Sequence, residues 1–566
     1  MFLSILKKVS RYWKSIGLSV FFSFLFLKIT YWVIYLIPSI ENIFLSALIS
    51  CVLIGFFVFY LTKQKNLLDH LYAGIFSFAV CFSITTIVMN ILTEPFFDWN
   101  SARLVWTFSI KHGYKVFCGL FQGPILARMY GPLMPFSYWP CTWMKTPISA
   151  IWMGSFLSVL FIFVPTSIFF IVESRKQARF KEAFFCYFLF FCLLAFNAIP
   201  LTRSMFMIHA DAPSIGFAIL ACLMLYLDRL SPKSHHKLLS AFLVVCSVWT
   251  KQIAAPLLIA LPLYLWITQG RKVALIYFAQ ILLISFCSLA FFSHVFGFQY
   301  MFQEMFLIPS RHPSRYAFGW TRGFLLVSWF WIKSIFPYAL CVILSNFKHI
   351  KGLLKQKIRL RNFLKQNYWF LFIWVGIFMA PTAILGMLKM GGDFNNLSFS
   401  LYFFVLAAAM SITRLFLNLR QRLSKNNLKI VKVLFCVLVF CLMAFRSAHL
   451  YEMTDKALMV GNCPQQIAYE LALEYPERIY FPDSVLSMYF ADKEIYNSLD
   501  GIYDRKNANI PISPEHFKKY LPKNLEKIAM LKIYPYWHMY VLEHLPGFRS
   551  RKEVGDMIFW IVYEKQ

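Results

Sequence analysis

Runs of about 20 apolar residues, the helix length that crosses the hydrocarbon layer of a membrane, recur along the chain from residue 16 to residue 446. Within that layer a segment must satisfy its backbone hydrogen bonds internally, so each run is predicted to be a transmembrane helix. Only 14% of the 566 residues are charged and 59% are hydrophobic. This composition excludes a soluble globular protein, a disordered chain, a collagen and a disulfide-stapled secreted domain. We therefore predict an all-α polytopic membrane bundle.

Hydropathy predicts about 13 spans within residues 1–446. The predicted spans are 16–38, 43–62, 71–92, 148–172, 183–201, 205–227, 238–250, 252–268, 273–297, 322–345, 368–388, 397–417 and 430–446. The seventh and eighth are short for separate crossings. Residues 93–147, between the third and fourth spans, form the first large loop.

Lys and Arg alternate in density from one connection to the next. Under this segmentation, one set of connections carries 26 of them and the other set carries 10. Basic residues near span ends favour the cytoplasmic side, so the N-terminus is predicted inside and the tail outside. Residues 1–446 hold 42 Lys and Arg against 10 Asp and Glu, whereas residues 447–566 hold 14 against 16. This change places a domain boundary near Arg446. The cations lie in short blocks between apolar runs, so no nucleic-acid partner is expected.

The tail, residues 447–566, alternates helical and strand patterns. PQQIAYELALEY, SPEHFKKYL and HMYVLEHL have helical patterns, whereas RIYFP, KIAMLKIY and MIFWIVYE have strand patterns. This order predicts a small α/β domain on the extracytoplasmic side.

The first outer loop contains WNSARLVWTFSI, whose apolar spacing predicts a helix along the membrane surface. Cys118 and Cys141 share this loop, where a disulfide and two free thiols are both open. The sequence has no CxxC, HExxH, Walker or GxGxxG motif. Nucleotide hydrolysis and a built-in zinc site are therefore unsupported. No cofactor is predicted, and a divalent metal stays open.

Few carboxylates are predicted at the outer face of the bundle. Asp98 follows the third span, and Glu94 lies one helical turn before Asp98. Asp211 lies at the outer mouth of the sixth span. A carboxylate there can accept the proton of an attacking hydroxyl, and cations can stabilise a departing phosphate. Either aspartate could instead be a helix cap. The cations predicted at the same level are Arg203, Lys251, Arg311, Arg315, Arg322 and Lys389.

The candidate phosphate ligands are Arg203, Lys251, Arg311, Arg315 and Lys389. Lys251 has no acidic residue near it in the sequence, although a snorkelling lysine explains its position as well. Gln252 follows it and is grouped with it as a donor-binding candidate. The candidates for binding an acceptor or sugar are Tyr130, Asp393, Asn395 and Asn396. A Gly-Gly turn before a helix also accounts for the last three.

Several segments between residues 90 and 410 resemble, in order, the motifs of membrane glycosyltransferases of the GT-C fold. They are EPFFDWNSARL, HGYKVF, MYGPLMPFSYW, HADAPSIGFAILACLMLYL, SVWTKQIAAPLL and KMGGDFNNLSFSLYFF. The resemblance is to the family 39-like bacterial proteins, which use polyprenyl-phosphate sugars. It implies that Asp98 is the base. The second acid of the family's Asp-Glu pair is Trp99 here, so Glu94 or Asp211 would have to supply any second carboxylate.

The leading hypothesis is an integral membrane glycosyltransferase that moves a sugar from a polyprenyl phosphate to a glycan, lipid or protein acceptor. The resemblance implies a bacterial inner membrane, with the active site facing the periplasm. An extracytoplasmic glycan polymerase or ligase is one alternative, and a lipid or solute transporter or flippase is another. A transporter predicts charges deep within several spans and repeated halves. Lys28, Lys333 and Arg414 are the only such charges that the hydropathy suggests.

Overall fold

The computed structural model of the protein describes residues 67–565, except for 232, 318, 356–359, 423–424, 534 and 551–558. The predicted spans 16–38 and 43–62 lie outside the described residues. The helices of the described part are α1 (Leu67–Thr93), α2 (Asp98–Lys111), α3 (Leu133–Ser137), α4 (Pro147–Ser174), α5 (Phe180–Phe196), α6 (Ile199–Phe206), α7 (Asp211–Leu230), α8 (Ser234–Thr250), α9 (Leu257–Gln269), α10 (Arg271–Phe296), α11 (Phe298–Phe302), α12 (Ile308–Arg311), α13 (Gly319–Ser345), α14 (Phe347–Leu354), α15 (Leu360–Gln366), α16 (Trp369–Leu388), α17 (Ser398–Arg422), α18 (Lys425–Leu458), α19 (Pro464–Glu474), α20 (Val485–Asp492), α21 (Leu499–Asn507), α22 (Pro514–Lys519) and α23 (His538–Leu542).

Nine helices of the described part are long and apolar enough to cross a membrane. They are Gly74–Phe96, Pro147–Ser174, Asp211–Leu230, Gln252–Gln269, Arg271–Phe296, Gly319–Ser345, Trp369–Leu388, Phe394–Gln421 and Lys429–Ser447. Each corresponds to a predicted span. The architecture is therefore that of a multi-pass membrane protein, while the total of about 13 spans stays a prediction.

Two predicted spans differ in the structure. The segment predicted at 183–201 is a bent pair, α5 and α6, whose axes meet at 103°. Pro200 is the second residue of α6 and cannot continue α5, because proline lacks the N–H that a helix interior needs. At the break, the Asn197 side chain donates to the carbonyls of Leu193 at 2.7 Å and Leu442 at 2.9 Å. The segment predicted at 238–250 belongs to α8, which has only 17 residues.

The helix predicted along the membrane surface is α2, and it is buried instead. Its residues from Asn100 to Ser109 are all buried. Trp106 donates from Nε1 to the carbonyl of Val116 at 2.8 Å, and Thr107 donates to that of Pro135 at 3.1 Å. The loop 93–147 therefore folds over its own first helix. The amphipathic helix that the apolar spacing predicts is present, but other parts of the protein cover the face that was expected to contact lipid and water.

The tail contains the predicted mixture of helices and strands. Strands β1 (Ile479–Tyr480), β2 (Lys527–Leu531), β3 (Phe548–Ser550) and β4 (Trp560–Lys565) form one sheet in the order β1-β2-β4-β3. Strands β1 and β2 are parallel, and β4 is antiparallel to both of its neighbours. The boundary predicted near Arg446 falls inside α18, which continues to Leu458. The division into domains 1–446 and 447–566 stays a prediction.

The loop 93–147 packs against the tail. Ile125 lies in the apolar core of the tail, and its N–H donates to Asn497 Oδ1 at 2.9 Å. Its carbonyl accepts from the N–H of Ser498 at 2.8 Å. A Cβ at Gly501 would lie 2.7 Å from that carbonyl oxygen, so the start of α21 fits only without a side chain there. These contacts bring α21 over the end of the bundle at which α7 begins.

Candidate active site

A cavity of about 1870 Å³ lies at that end of the bundle, between the membrane helices, the first outer loop and the tail. Its walls include the exposed apolar side chains of Ile199, Leu385 and Phe445, each of which belongs to a different helix. Seven cations and five carboxylates also line it: Arg103, Arg203, Lys251, Arg315, Lys389, Arg446 and Lys456, with Glu94, Asp98, Asp211, Asp393 and Glu452. The lining thus combines exposed apolar side chains with an excess of positive charge.

Asp211 is the centre of a buried polar cluster at the start of α7. Lys251 follows the end of α8, and its Nζ lies 2.5 Å from Asp211 Oδ1. Ser204 donates to Oδ2 of the same carboxylate at 3.1 Å. Lys251 therefore has an acid partner, contrary to the prediction from its sequence neighbours. Because α7 and α8 are antiparallel, the start of one helix meets the end of the other, and 40 residues separate the pair in the sequence.

His209 occupies another side of the same carboxylate. Its Nδ1 lies 2.8 Å from Asp211 Oδ2, and its Nε2 lies 2.8 Å from the Tyr130 hydroxyl. Burial lowers the pKa of His209 to about 4, although Asp211 acts in the opposite direction. The imidazole is therefore neutral near pH 7, and the geometry fits a proton on Nδ1 with Tyr130 donating to Nε2.

Gly131 allows Tyr130 to approach this centre. A Cβ at Gly131 would overlap the carbonyl oxygen of Trp249, and its N–H donates to the carbonyl of Thr250 at 3.3 Å. The loop backbone therefore touches the end of α8 directly. As a result, Lys251 Nζ lies 5.5 Å from the centre of the Tyr130 ring.

Three of the predicted donor- or sugar-binding side chains hold the structure of the site together. Asn395 donates to Asp211 Oδ2 at 2.6 Å, and Asn396 accepts from Lys251 Nζ at 3.0 Å. Gln252 donates to the carbonyls of Met129 at 2.9 Å and Met305 at 3.0 Å. All three line the cavity, but their amides already have protein partners. Their geometry assigns them to positioning Asp211, Lys251 and the loops.

A second polar group forms where the segment after α12 meets the end of α16. The N–H of Arg315 donates to the carbonyl of Leu388 at 2.9 Å, and Ser314 pairs with Lys389 in an antiparallel bridge. Arg315 also donates from Nη1 to the carbonyl of Gly392 at 2.9 Å. Arg203 is paired with Asp393. The structure thus brings Arg203, Arg315, Lys389 and Asp393 together at one end of the bundle.

Lys389 faces the cavity without an ion-pair partner among the described residues. Burial lowers its pKa to about 8, and Lys251 and Arg103 also lower it, while Asp504 opposes them. Lys389 therefore feels the repulsion of two neighbouring cations, and Asp504 offsets only part of it. An anion bound among them would relieve this repulsion.

Asp98 lines the same cavity but has a different electrostatic neighbourhood from the one expected. It is 8% exposed at the start of α2, and the first backbone N–H groups of the helix donate to its carboxylate. Burial raises its pKa well above the ordinary value, and Asp500 and Asp483 of the tail raise it further. The strongest charges around Asp98 are therefore acids, whereas the cations gather around Asp211 and Lys389. No described side chain donates a hydrogen bond to Asp98.

Glu94, the other predicted carboxylate of this loop, does not pair with Asp98. Its Oε2 accepts from Asn100 Nδ2 at 2.6 Å, and Asn100 Oδ1 accepts from the N–H of Ile208 at 2.7 Å. Glu94 therefore joins the loop to the segment before α7. It lines the cavity, with its carboxylate already engaged.

Arg103 is a cavity residue that the sequence reasoning missed. Its guanidinium lies 5.0 Å from the ring centre of Tyr130 and 5.7 Å from that of Trp99. It is 4% exposed, and its Nε and Nη1 have no hydrogen-bond partner among the described residues. The signal was an arginine in an amphipathic helix with no acid three or four residues away.

The tail contributes aromatic rings to the cavity, which the sequence reasoning also missed. Tyr503 lies 4.6 Å from Trp537 between ring centres, and Tyr540 lies 6.2 Å from Tyr503. All three rings line the cavity. Aromatic residues are spread throughout the sequence, so nothing in their local pattern distinguishes these three.

Arg311 does not join the site. It is exposed at the end of α12 and does not line the cavity, whereas Arg315 four residues later does. Cys118 and Cys141 are buried free thiols. Among the residues that the structure describes, no group of three or more His, Cys, Asp and Glu could hold a metal ion.

No family model and no curated protein matches the chain. Among solved structures, it is similar to ArnT from Cupriavidus metallidurans bound to undecaprenyl phosphate, with 12% identity and a TM-score of 0.47 over 86% of this chain and 98% of that one. For the apo structure of ArnT from the same organism, the identity is 12% and the TM-score is 0.49, over 86% of this chain and 97% of that one. For the apo form of the Archaeoglobus fulgidus oligosaccharyltransferase, the identity is 10% and the TM-score is 0.46, over 85% of this chain and 73% of that one. TM-scores below 0.5 establish no function, so the chemistry is inferred from the side chains of the cavity.

Proposed function

We propose that the protein is an integral membrane glycosyltransferase that transfers a sugar from a polyprenyl-phosphate donor to an acceptor on the extracytoplasmic side. The observation that carries the proposal is the cavity itself. It is lined by exposed apolar side chains, and it holds cations with unused hydrogen-bonding capacity and a carboxylate, Asp98, that has no side-chain hydrogen-bond donor among the described residues. A lipid-linked phosphate matches the first two properties, and an attacking hydroxyl needs the third.

The donor phosphate is proposed to bind at Lys389, Arg315 and Arg103. Lys251 and Arg203 already have acid partners, so they add less net charge to the phosphate site. In a single displacement, the acceptor oxygen bonds to the anomeric carbon from the face opposite the phosphate. The bond from that carbon to the phosphate oxygen breaks, and its electron pair leaves with the lipid phosphate. The configuration at the anomeric carbon is inverted.

Asp98 is proposed to accept the proton of the attacking hydroxyl. Among the carboxylates that line the body of the cavity, Asp211 is saturated with donors, Asp393 is paired with Arg203, and Glu94 is held by Asn100. The raised pKa of Asp98 makes its ionised form a stronger base than an exposed aspartate. The rate should therefore increase with pH until Asp98 is ionised.

The proposed arrangement in the membrane follows the same assignment. The N-terminus faces the cytoplasm, residues 1–446 form the transmembrane domain, and residues 447–566 form an extracytoplasmic α/β domain. The basic connections 175–181 and 229–237 lie at the helix ends opposite the cavity, which supports a cavity on the outer side. A bacterial inner membrane is the proposed location.

The decisive experiment incubates membranes that contain the protein with a panel of radiolabelled polyprenyl-phosphate sugars. We expect transfer of label by the parent protein and a loss of about 10²–10⁴-fold in Asp98→Asn. Asp455→Asn changes an exposed aspartate of α18 and should transfer like the parent. Full transfer by Asp98→Asn would remove that residue from the base role. Solute flux across the membrane without sugar transfer would instead favour a transporter.

A further inference from the structure

Helix α18 presents one continuous stripe of side chains to the cavity. Leu438, Leu442 and Phe445 form its apolar half, and the next turns bring Arg446, His449 and Lys456 to the same wall. Residues three, four and seven apart share a helix face, so this order runs along the helix axis. The distance from residue 438 to residue 456 is about 27 Å at 1.5 Å per residue. The wall therefore changes from apolar to basic along the length of a lipid molecule.

Arg446 is the unusual member of this stripe. An arginine at the end of a span ordinarily extends to water, but Arg446 is only 7% exposed. Its Nε and Nη2 are buried, and neither has a hydrogen-bond partner among the described residues. A buried guanidinium with unused donors is costly unless a ligand satisfies them. It lines the cavity, so such a ligand has access to it.

The nearby acid does not neutralise the stripe. Glu452 accepts from Lys456 Nζ at 2.7 Å, and its carboxylate lies 3.9 Å from His449 Nδ1. With Arg446 and Lys456 charged, His449 neutral and Glu452 ionised, the stripe retains one positive charge. On the other side, Thr93 donates to Met453 Sδ at 3.1 Å, a contact that carries no charge.

We infer that this stripe binds the phosphate-bearing head group of a second lipid, which is the acceptor. The inference rests on the proposed function, because the donor phosphate is assigned there to Lys389, Arg315 and Arg103. Arg446 lies on α18, whereas none of those three cations does, and Phe445 beside it is 48% exposed. The acyl chains would lie against Leu438, Leu442 and Phe445, with the phosphate at Arg446. The transferred sugar would meet the second lipid inside the cavity.

The binding test uses the full chain in phosphatidylcholine nanodiscs with a photoactivatable phosphatidic acid. The matched neutral probe is the corresponding diacylglycerol. We expect the phosphate-bearing probe to label α18 and Arg446→Gln to weaken that labelling by about ten- to a hundredfold. Arg446→Lys should retain part of it, which excludes misfolding as the cause. The control Lys333→Gln changes a lysine outside the cavity that lies 5.1 Å from the Trp329 ring.

Competition separates the two lipid sites and the source of the phosphate. Saturating polyprenyl phosphate should leave the labelling of α18 unchanged, and inorganic phosphate alone should compete poorly because it lacks acyl chains. Displacement by polyprenyl phosphate, or equal labelling by the diacylglycerol, would overturn the inference. Competition by inorganic phosphate at the affinity of the lipid would also overturn it, because the site would then recognise a free anion.

The transfer assay distinguishes failure of this inference from failure of the proposed function. In active membranes, label should pass into a solvent-extractable, phosphate-bearing lipid, and Arg446→Gln should lower this transfer by about tenfold while donor binding is retained. Label only in protein would overturn the inference and leave the glycosyltransferase assignment standing. Arg446-dependent lipid binding in a preparation that transfers no sugar from any donor would instead count against the proposed function.

Discussion

Two buried clusters of charged side chains lie at opposite ends of the bundle. They differ in whether their charged groups have hydrogen-bond and ion-pair partners among the described residues. At the end away from the cavity, Glu173 is 2% exposed and accepts from Arg414 Nη2 at 2.5 Å. Tyr226 also donates to it, and Lys176 Nζ lies 3.4 Å away. At the cavity end, Arg103 and Arg446 keep guanidinium nitrogens without a described partner. Lys389 faces the cavity, and none of the residues that the structure describes pairs with it as an acid.

The contrast distinguishes a structural use of buried charge from one that awaits a ligand. None of Glu173, Lys176 and Arg414 lines the cavity, and the carboxylate is surrounded by donors. That cluster ties α4, α7 and α17 together with its own charges. The cavity cluster has more donors than acceptors, which suits it to an anion from outside the chain.

The largest effect on stability is expected at the closed cluster. Glu173→Gln removes the carboxylate that Arg414 and Lys176 share, which leaves two cations without a counter-charge. We expect a loss of about 3–5 kcal/mol in the free energy of unfolding. Thermal unfolding of the purified protein in detergent would measure it, with the exposed Glu474→Gln as control. Unchanged stability together with lost sugar transfer would mean that this cluster belongs to the chemistry.

The next largest effect is expected on donor binding. Lys389→Gln removes a cation that has no paired acid among the described residues, so polyprenyl phosphate should bind more weakly by about 1.5–3 kcal/mol. Isothermal titration with polyprenyl phosphate would measure the change, and Lys333→Gln provides a control outside the cavity. Thermal stability should change little, in contrast to Glu173→Gln. Parent-like affinity in Lys389→Gln would place the donor phosphate elsewhere.

The pH dependence of donor binding sharpens the same comparison. The pKa of Lys389 is lowered to about 8, so its ammonium form is complete below that pH and is lost as the pH rises through it. Affinity for polyprenyl phosphate should therefore fall above pH 8, by up to about tenfold per unit. The second pKa of a phosphate is about 6, so its own charge is constant in that range. Lys389→Gln should abolish the decrease, and an identical decrease in that variant would assign it to another group.

The smallest effect is expected at Arg311. This side chain is exposed and outside the cavity, so Arg311→Gln should change stability and donor binding by less than about 0.5 kcal/mol. Arg315→Gln is the informative partner, because Arg315 is close in sequence and lines the cavity. Equal losses in both variants would show that the long-range charge of the loop matters more than contact with the cavity.

Much of the architecture was predictable because long apolar runs have few alternatives in a membrane. Nine of the predicted spans correspond to helices of the described part, and the strand patterns of the tail predicted β1, β2 and β4. The bend before Pro200 was not predicted, because hydropathy averages over the break. The burial of α2 was missed because a helix along a membrane and a helix under a loop have the same one-sided pattern.

At the candidate site, sequence position identified the acids and most of the cations but not their partners. Lys251 appeared free because its acid is 40 residues away, and Asn395 and Asn396 appeared available because their partners Asp211 and Lys251 are far away in the sequence. Arg103 was passed over as part of a helix face. Asp98 was expected among cations, but the folded tail brings Asp483 and Asp500 to it instead.

The amino-acid sequence by itself determined that this chain is a multi-pass membrane protein, since backbone groups in hydrocarbon must pair within their own helices. It also determined that scarce carboxylates and a surplus of cations lie at the helix ends. Only the tertiary structure decided which charges neutralise one another and which face the cavity. That outcome depends on distances between helices far apart in the sequence, because the interaction of two charges changes steeply with separation and burial.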